Sequence, residues 1–171
     1  MQREVRGTRI LVAGLGNLLL QDDGAGVHAV RLLEQDPPPG ICLAEVGTAV
    51  VDALHLLEWA GYVLAVDALQ AGGAPGTVYR CASGDVADEG LPASLHELGL
   101  LSVLRMLAPE AAPEVAILGV EPQVIDYGLE LSPAVQAALP TVEAAVRSIV
   151  DGWCPDPAQR EAYVVEEAAE A

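Results

Sequence analysis

The sequence predicts an α/β domain, a three-layer α/β/α sandwich built on a mostly parallel, twisted sheet of about five strands. Two observations carry this. Short apolar runs of strand length alternate with segments whose apolar residues recur at helical spacing. The first such pair is joined by a glycine-rich turn, LVAGLGNLLLQDDGAGVHAVRLL, which starts as a buried strand and ends as an amphipathic helix.

The elements follow in order. Arg9–Gly14 is an apolar run ending in glycine, hence a buried strand. Asp23–Gln35 carries Val27, Val30 and Leu33 at helical spacing, and PPPG at 37–40 breaks it. Ile41–Val46 reads as a second strand. Ala49–Trp59 reads as a helix with Val50, Leu54 and Leu57 on one face, closed by Gly61. Tyr62–Leu69 (YVLAVDAL) is a third strand, apolar except for Asp67. After a Gly/Pro turn, Thr77–Cys81 is a short strand suited to an antiparallel edge. Ser83–Ser94 is irregular and acidic. Glu97–Leu107 is a helix with Leu100, Leu101, Leu104 and Leu107 on one face, and Glu114–Val120 is the next strand. Leu131–Val150 is helical, with Ser132 as N-cap and Pro133 in the first turn. Pro140 is expected to kink or break it. Residues 1–152 thus form one α/β domain, and 153–171 an acidic C-terminal tail that is expected to fray.

Composition narrows the function. The net charge is −17, with eight Arg and no Lys. Phosphate neutralisation supplies most nucleic-acid affinity, so nucleic acid is not an expected partner. Without Lys there is no Schiff-base chemistry and no P-loop lysine. No apolar run reaches the roughly 18 residues of a membrane span, and the start lacks a secretory signal, so neither a membrane nor export is expected. Cys42, Cys81 and Cys154 are odd in number and widely spaced, which fits a reducing cytoplasm.

The chemistry falls to acids and histidines. No GxSxG surrounds any of the five Ser, and His96-Glu97 is not followed by the second His of a zinc-protease helix. Asp67 interrupts a run that otherwise buries fully, and a buried carboxylate costs several kcal/mol unless paired or metal-bound. It either caps the following turn or serves a site. Asp22 and Asp23 stand at a helix N-terminus, where one Asp suffices as a cap and a second needs another reason. His96 borders a helix, where a lone His is more often a surface or capping residue than a site residue; His28 and His55 read as ordinary helix residues. Ligands bind beyond strand carboxyl ends in such sheets, which puts the Gly14–Asp23 loop, the end of the Val63–Asp67 strand and the loop after Val120 on one rim. Two Asp and a His from separate segments suit a borderline divalent ion with open positions, although spacing alone does not bring them together.

The motif ILVAGLGNLLLQDDGAGV resembles the opening of the hydrogenase maturation endopeptidases. That family begins with a strand, G-x-G-N, a few apolar residues and x-D-[DE] leading into a helix. VLAVDAL resembles its second motif, LHELGL at 95–100 its third (H-Q-L-G-L), and ILGVEPQVIDYGLELSPAV its fourth. The four occur in order over roughly residues 9–150. The resemblance implies a phosphorylase/hydrolase-like sandwich, with 1–152 as the protease domain. It implies an endopeptidase that removes the C-terminal extension of the nickel–iron hydrogenase large-subunit precursor after nickel insertion. The family's catalytic, metal-contacting positions fall on Asp23, Asp67 and His96. The metal implied is nickel supplied by the substrate, with no tightly bound cofactor of the protease's own. Gly14 and Gly16 would then let the turn approach a cation, Asn17 would bond its own loop, and Asp22 would cap the helix while Asp23 faces the site.

The chain departs from the family in two places. Glu45-Val46-Gly47-Thr48-Ala49-Val50 stands where the family often has D-G-G-T-x-G, and Asp23 stands where it often has Glu. Two other readings share parts of the pattern. Peptidyl-tRNA hydrolases also open with a strand and G-L-G-N, but need a basic face. A nucleotide-binding module would want G-x-G-x-x-G, and Leu19 occupies the last glycine position. A non-catalytic chaperone of the hydrogenase subunit would not need the three site residues.

Overall fold

The computed structural model describes residues 7–82, 95–107 and 109–164. Five strands form one sheet: β1 (Ile10–Leu15), β2 (Cys42–Gly47), β3 (Tyr62–Ala68), β4 (Val78–Ala82) and β5 (Glu114–Val120). Their order is β2-β1-β3-β5-β4. All neighbours run parallel except β4, which pairs antiparallel with β5 at the edge. The sheet is therefore mixed through one edge strand, as the Gly/Pro turn before Thr77 suggested.

Alternation along the strands sorts their side chains onto two faces. Ile10 and Val12 of β1 join Leu64 and Val66 of β3 in a core covered by α1 (Ala25–Leu33) and α4 (Pro133–Trp153). Leu11, Ala13 and Leu15 join Val63 and Ala65 in a second core, covered by α2 (Leu54–Trp59) and α3 (Leu95–Leu104). Strands buried on both faces read as the continuous apolar runs seen in the sequence. Each fully buried Leu or Ile contributes about 1.5–3 kcal/mol relative to exposure.

Several boundaries differ from the sequence reading for identifiable reasons. The first helix does not start at Asp23: Gln21–Gly24 is a 3-10 turn, and α1 begins at Ala25. Likewise Val50–Ala53 is a 3-10 turn ahead of α2. Gly61 does not close α2 in a left-handed conformation. Its N–H bonds to Arg9 O at 2.9 Å, which starts the pairing of β3 with β1. α3 starts at Leu95, so His96 lies in its first turn rather than before it. Pro140 does not break α4, which runs on to Trp153. The Gln136 carbonyl that loses its helical donor there belongs to an exposed residue. Ser132 caps α4 as expected, its Oγ accepting from Val135 N at 3.3 Å.

Residues 154–164 return across the domain instead of fraying at Trp153. Thr8 and Arg160 form a parallel bridge. The buried Arg160 guanidinium donates to Cys154 O, to Pro39 O and to Asp151 Oδ1. Tyr163 packs edge-on to Trp59, ring centroids 5.3 Å apart. The expected irregular stretch Ser83–Ser94 and the end of the tail, 165–171, lie outside the described residues.

Candidate active site at the strand carboxyl ends

The turn after β1 is shaped by close backbone contacts. Gly16 has φ +116°, and a Cβ there would overlap the Asp23 carbonyl oxygen. Gly14 does not have a positive φ. It is required for a different reason, because a Cβ would lie 2.5 Å from Gly26 O, where the strand passes α1. Asn17 bonds its own loop as expected, Oδ1 accepting from Leu19 N at 2.9 Å. Its N–H donates to Asp23 Oδ2 at 3.0 Å, which holds that carboxylate against the turn.

Asp67 is the penultimate residue of β3 and fully buried. By alternation it shares the face of Val63 and Ala65, the face that α3 covers. Opposite it in the register is Gly119 of β5, which brings no side chain to that position. His96, in the first turn of α3, therefore meets Asp67 from above the sheet. Its Nδ1 lies 3.5 Å from Asp67 Oδ1, and its Nε2 lies 3.7 Å from Asp23 Oδ2. Both separations are ion-pair distances, too long for good hydrogen bonds. His96 and Asp23 keep 15% of their side-chain surface exposed, so the cluster opens to solvent on the rim. Asp67 Oδ1 also accepts from Ala68 N at 2.8 Å, so the capping reading of this residue describes one of its contacts.

The structure thus brings Asp23, Asp67 and His96 together. The imidazole stands between the two carboxylates and offers each a different nitrogen. A single ion can take only one of those nitrogens. Among the described residues, no group of three or more His, Cys, Asp or Glu is arranged to hold a metal ion. The donor set, two carboxylates and one imidazole, suits a divalent ion with open positions once the ring turns.

Asp22 does not cap α1. It is fully buried and points the other way, into the segment after β5. Its Oδ2 accepts from Gln123 N at 2.8 Å and Val124 N at 2.9 Å, and its Oδ1 from Ser132 N at 2.7 Å. A second carboxylate, Glu121, escaped the sequence reading. It is 6% exposed and accepts from Ala71 N at 2.8 Å and from the Tyr79 hydroxyl at 3.0 Å. Burial pushes its carboxyl up, but the backbone N–H groups of Ala71, Gly73 and Gly72 and the Tyr79 hydroxyl together outweigh it and hold the group below its usual value. The signal was available: Glu121 follows an apolar strand as Asp67 ends one.

The remaining candidates lie elsewhere. His28 sits on α1, bonded to the Leu129 backbone, and burial with the nearby Arg31 charge lowers its pKa. His55 packs against Tyr163. Burial pushes the Cys42 thiol up, away from a reactive thiolate. In the departing loop, Glu45 forms a two-pronged pair with Arg31, at 2.9 and 2.8 Å, and Val46 packs into the second core. Gly47, with φ +65°, accepts from Gly16 N and keeps the loop against the site turn. Gly16, Asn17, Leu18, Val27, Glu45 and Thr48 line a cavity of about 250 Å³ between them.

Most of the chain is similar to proteins of one family. The hydrogenase maturation protease family matches residues 27–149. The hydrogenase 2 maturation protease of Escherichia coli K12 is 34% identical over 154 residues, covering 81% of this chain and 91% of that protein. The hydrogenase expression/formation protein HoxM of Cupriavidus necator is 31% identical over 154 residues, covering 83% and 72%. Among solved structures, the hydrogenase maturating endopeptidase HybD from E. coli superposes with a TM-score of 0.75 at 30% identity, over 85% of this chain and 93% of that one. HybD from Thermococcus kodakarensis, a NiFe hydrogenase maturation protease, gives 0.74 at 27%, over 83% and 99%. These matches set aside the peptidyl-tRNA hydrolase and nucleotide-binding readings. The chain belongs to the hydrogenase maturation protease family, and its chemistry is that of an endopeptidase.

Proposed function

We propose that this protease removes the C-terminal extension of a nickel–iron hydrogenase large-subunit precursor after nickel insertion, and that nickel held by the substrate is its recognition element. The observation that carries the reading is the convergence of Asp23, Asp67 and His96 on one partly open rim. Two carboxylates and an imidazole, set apart from one another, favour an ion that arrives with ligands of its own. A resident metal would want donors already aimed at one point. Contact with substrate nickel would make metal occupancy the condition for cleavage, and the same ion would polarise the scissile carbonyl or activate water. The absence of Lys and the net charge of −17 fit a protein substrate and no nucleic acid, and the free Cys42, Cys81 and Cys154 fit a cytoplasmic maturation step. No helix among the described residues is long and apolar enough to cross a membrane.

The test is to incubate the purified protein with nickel-loaded and nickel-free precursor and to follow the mass of the large subunit. Loss of the C-terminal peptide from the loaded form alone is the expected result. Equal cleavage of both forms would favour a second reading, which the placement of His96 Nδ1 beside buried Asp67 supports. There the carboxylate would orient the imidazole, and Nε2 would take the proton of the attacking water.

A further inference from the structure

Gln21 has φ +50°, a left-handed conformation that a non-glycine side chain rarely adopts, and it directly precedes the acidic pair. A glycine would make this turn without strain, so the Gln side chain needs a reason to be there. Its Nε2 donates to Tyr127 O at 3.2 Å, and its own N–H donates to Gly128 O at 3.0 Å. Gly128 N returns a bond to Leu19 O at 3.0 Å, so the site turn and the segment after β5 pair as a short ladder, bridged at Leu20 and Gly128. Gly128 is itself shaped to the Gln side chain, since a Cβ there would lie 2.8 Å from Gln21 Cγ. One residue on, Asp22 turns inward and gathers three backbone N–H groups of the same segment. The next residue, Asp23, turns outward to His96.

We propose that Gln21 and Asp22 are positioning residues for the cleavage reaction. Together they fasten the 123–132 segment to the site turn, and the 3-10 turn that the left-handed residue opens sends consecutive carboxylates to different sides. Asp22 is the anchor and Asp23 is the carboxylate it aims. A shift of about 1 Å in a positioned group costs up to a hundredfold in rate, so a loosened anchor acts on the chemical step more than on substrate affinity.

This rests on the reading of Asp23 as a site residue, and the experiment separates the two. Gln21→Gly keeps the positive φ at no steric cost but removes the side-chain bond to Tyr127. Its expected result is an unfolding midpoint no lower than the parent's, with kcat for precursor processing down by roughly tenfold and KM within about twofold. Gln21→Lys, which restores a donor of sufficient reach, recovers most of that kcat. Asp22→Asn offers one oxygen to three N–H donors and should lose more, in kcat or in folding. Because that variant can fail to fold, Gln21→Gly decides. Parental kcat in Gln21→Gly, beside an inactive Asp23→Ala, overturns the positioning role alone. An active Asp23→Ala overturns the site assignment and this proposal with it.

Discussion

Asp67 and His96 face each other where the end of β3 meets the first turn of α3, Oδ1 to Nδ1 at 3.5 Å. The carboxylate is fully buried and the imidazole partly open. The pair therefore has a fixed inner member and an outer member able to reach a substrate. Asp23, 3.7 Å from the other ring nitrogen, completes an acid–imidazole–acid row.

That row leads to a prediction about metal. The two carboxylates meet different nitrogens, so capture of one ion requires His96 to turn, and ordering a side chain costs free energy. With no thiolate in the set, the free enzyme is expected to bind nickel weakly and to lose it on desalting. Metal analysis of the purified protein after mild chelation checks this. Stoichiometric, chelator-resistant nickel would contradict delivery by the substrate.

Glu121 gives a stability prediction with a defined pH sign. Glu121→Gln keeps one acceptor and turns an amide toward N–H donors, at a cost of about 1–3 kcal/mol. Burial pushes the folded carboxyl up, and the backbone N–H groups of Ala71, Gly73 and Gly72 with the Tyr79 hydroxyl together hold it below its usual value. Its contribution is present above the unfolded-state value and is lost as pH falls through the folded one. Denaturant unfolding of parent and Glu121→Gln should therefore converge in acid and separate toward neutrality.

Arg160→Ala should free the returning tail. The buried guanidinium bonds to two backbone carbonyls and pairs with Asp151 at 2.7 Å, so its removal strands several acceptors. The expected loss is about 3 kcal/mol in global stability. It should leave processing unchanged at temperatures where the variant is folded, because the tail lies away from Asp23, Asp67 and His96. Chemical unfolding and a low-temperature cleavage assay together check this.

Much of this was legible from particular residues. Short apolar runs of strand length gave all five strands within a residue or so, most plainly β1, β3 and β5, which are buried on both faces. Asp67 was visible because a charge inside YVLAVDAL has to be compensated. Its partner was not visible from spacing, since 29 positions of chain separate Asp67 from His96 and only the tertiary fold closes that distance. The family resemblance supplied that link. Asp22 was misread as a helix cap for a related reason. Its three donors come from residues 123, 124 and 132, about a hundred positions away, while a cap is the nearest local use for an Asp. Pro140 and Gly61 were judged by local propensity, and exposure of Gln136 and the β3 pairing overrode it.

The sharpest single test is Asp67→Asn, set beside His96→Ala and His55→Ala. His55 stacks near Tyr163, away from the rim, and its loss should leave processing intact. His96→Ala should abolish processing while the domain folds, because the ring is partly exposed and its removal opens no sealed core. Asn at position 67 preserves shape and keeps an oxygen for the Ala68 N–H, so the turn after β3 survives. What disappears is the negative charge beside His96. If Asp67 acts only as a cap, activity persists. If it contacts nickel or holds the imidazole in place, processing should fall by about 10³-fold or more, as for other groups that orient a reacting centre. The measurement is single-turnover cleavage of nickel-loaded precursor, with folding of the variant verified by circular dichroism. Near-parental rates in a folded Asp67→Asn would return the residue to a purely structural role.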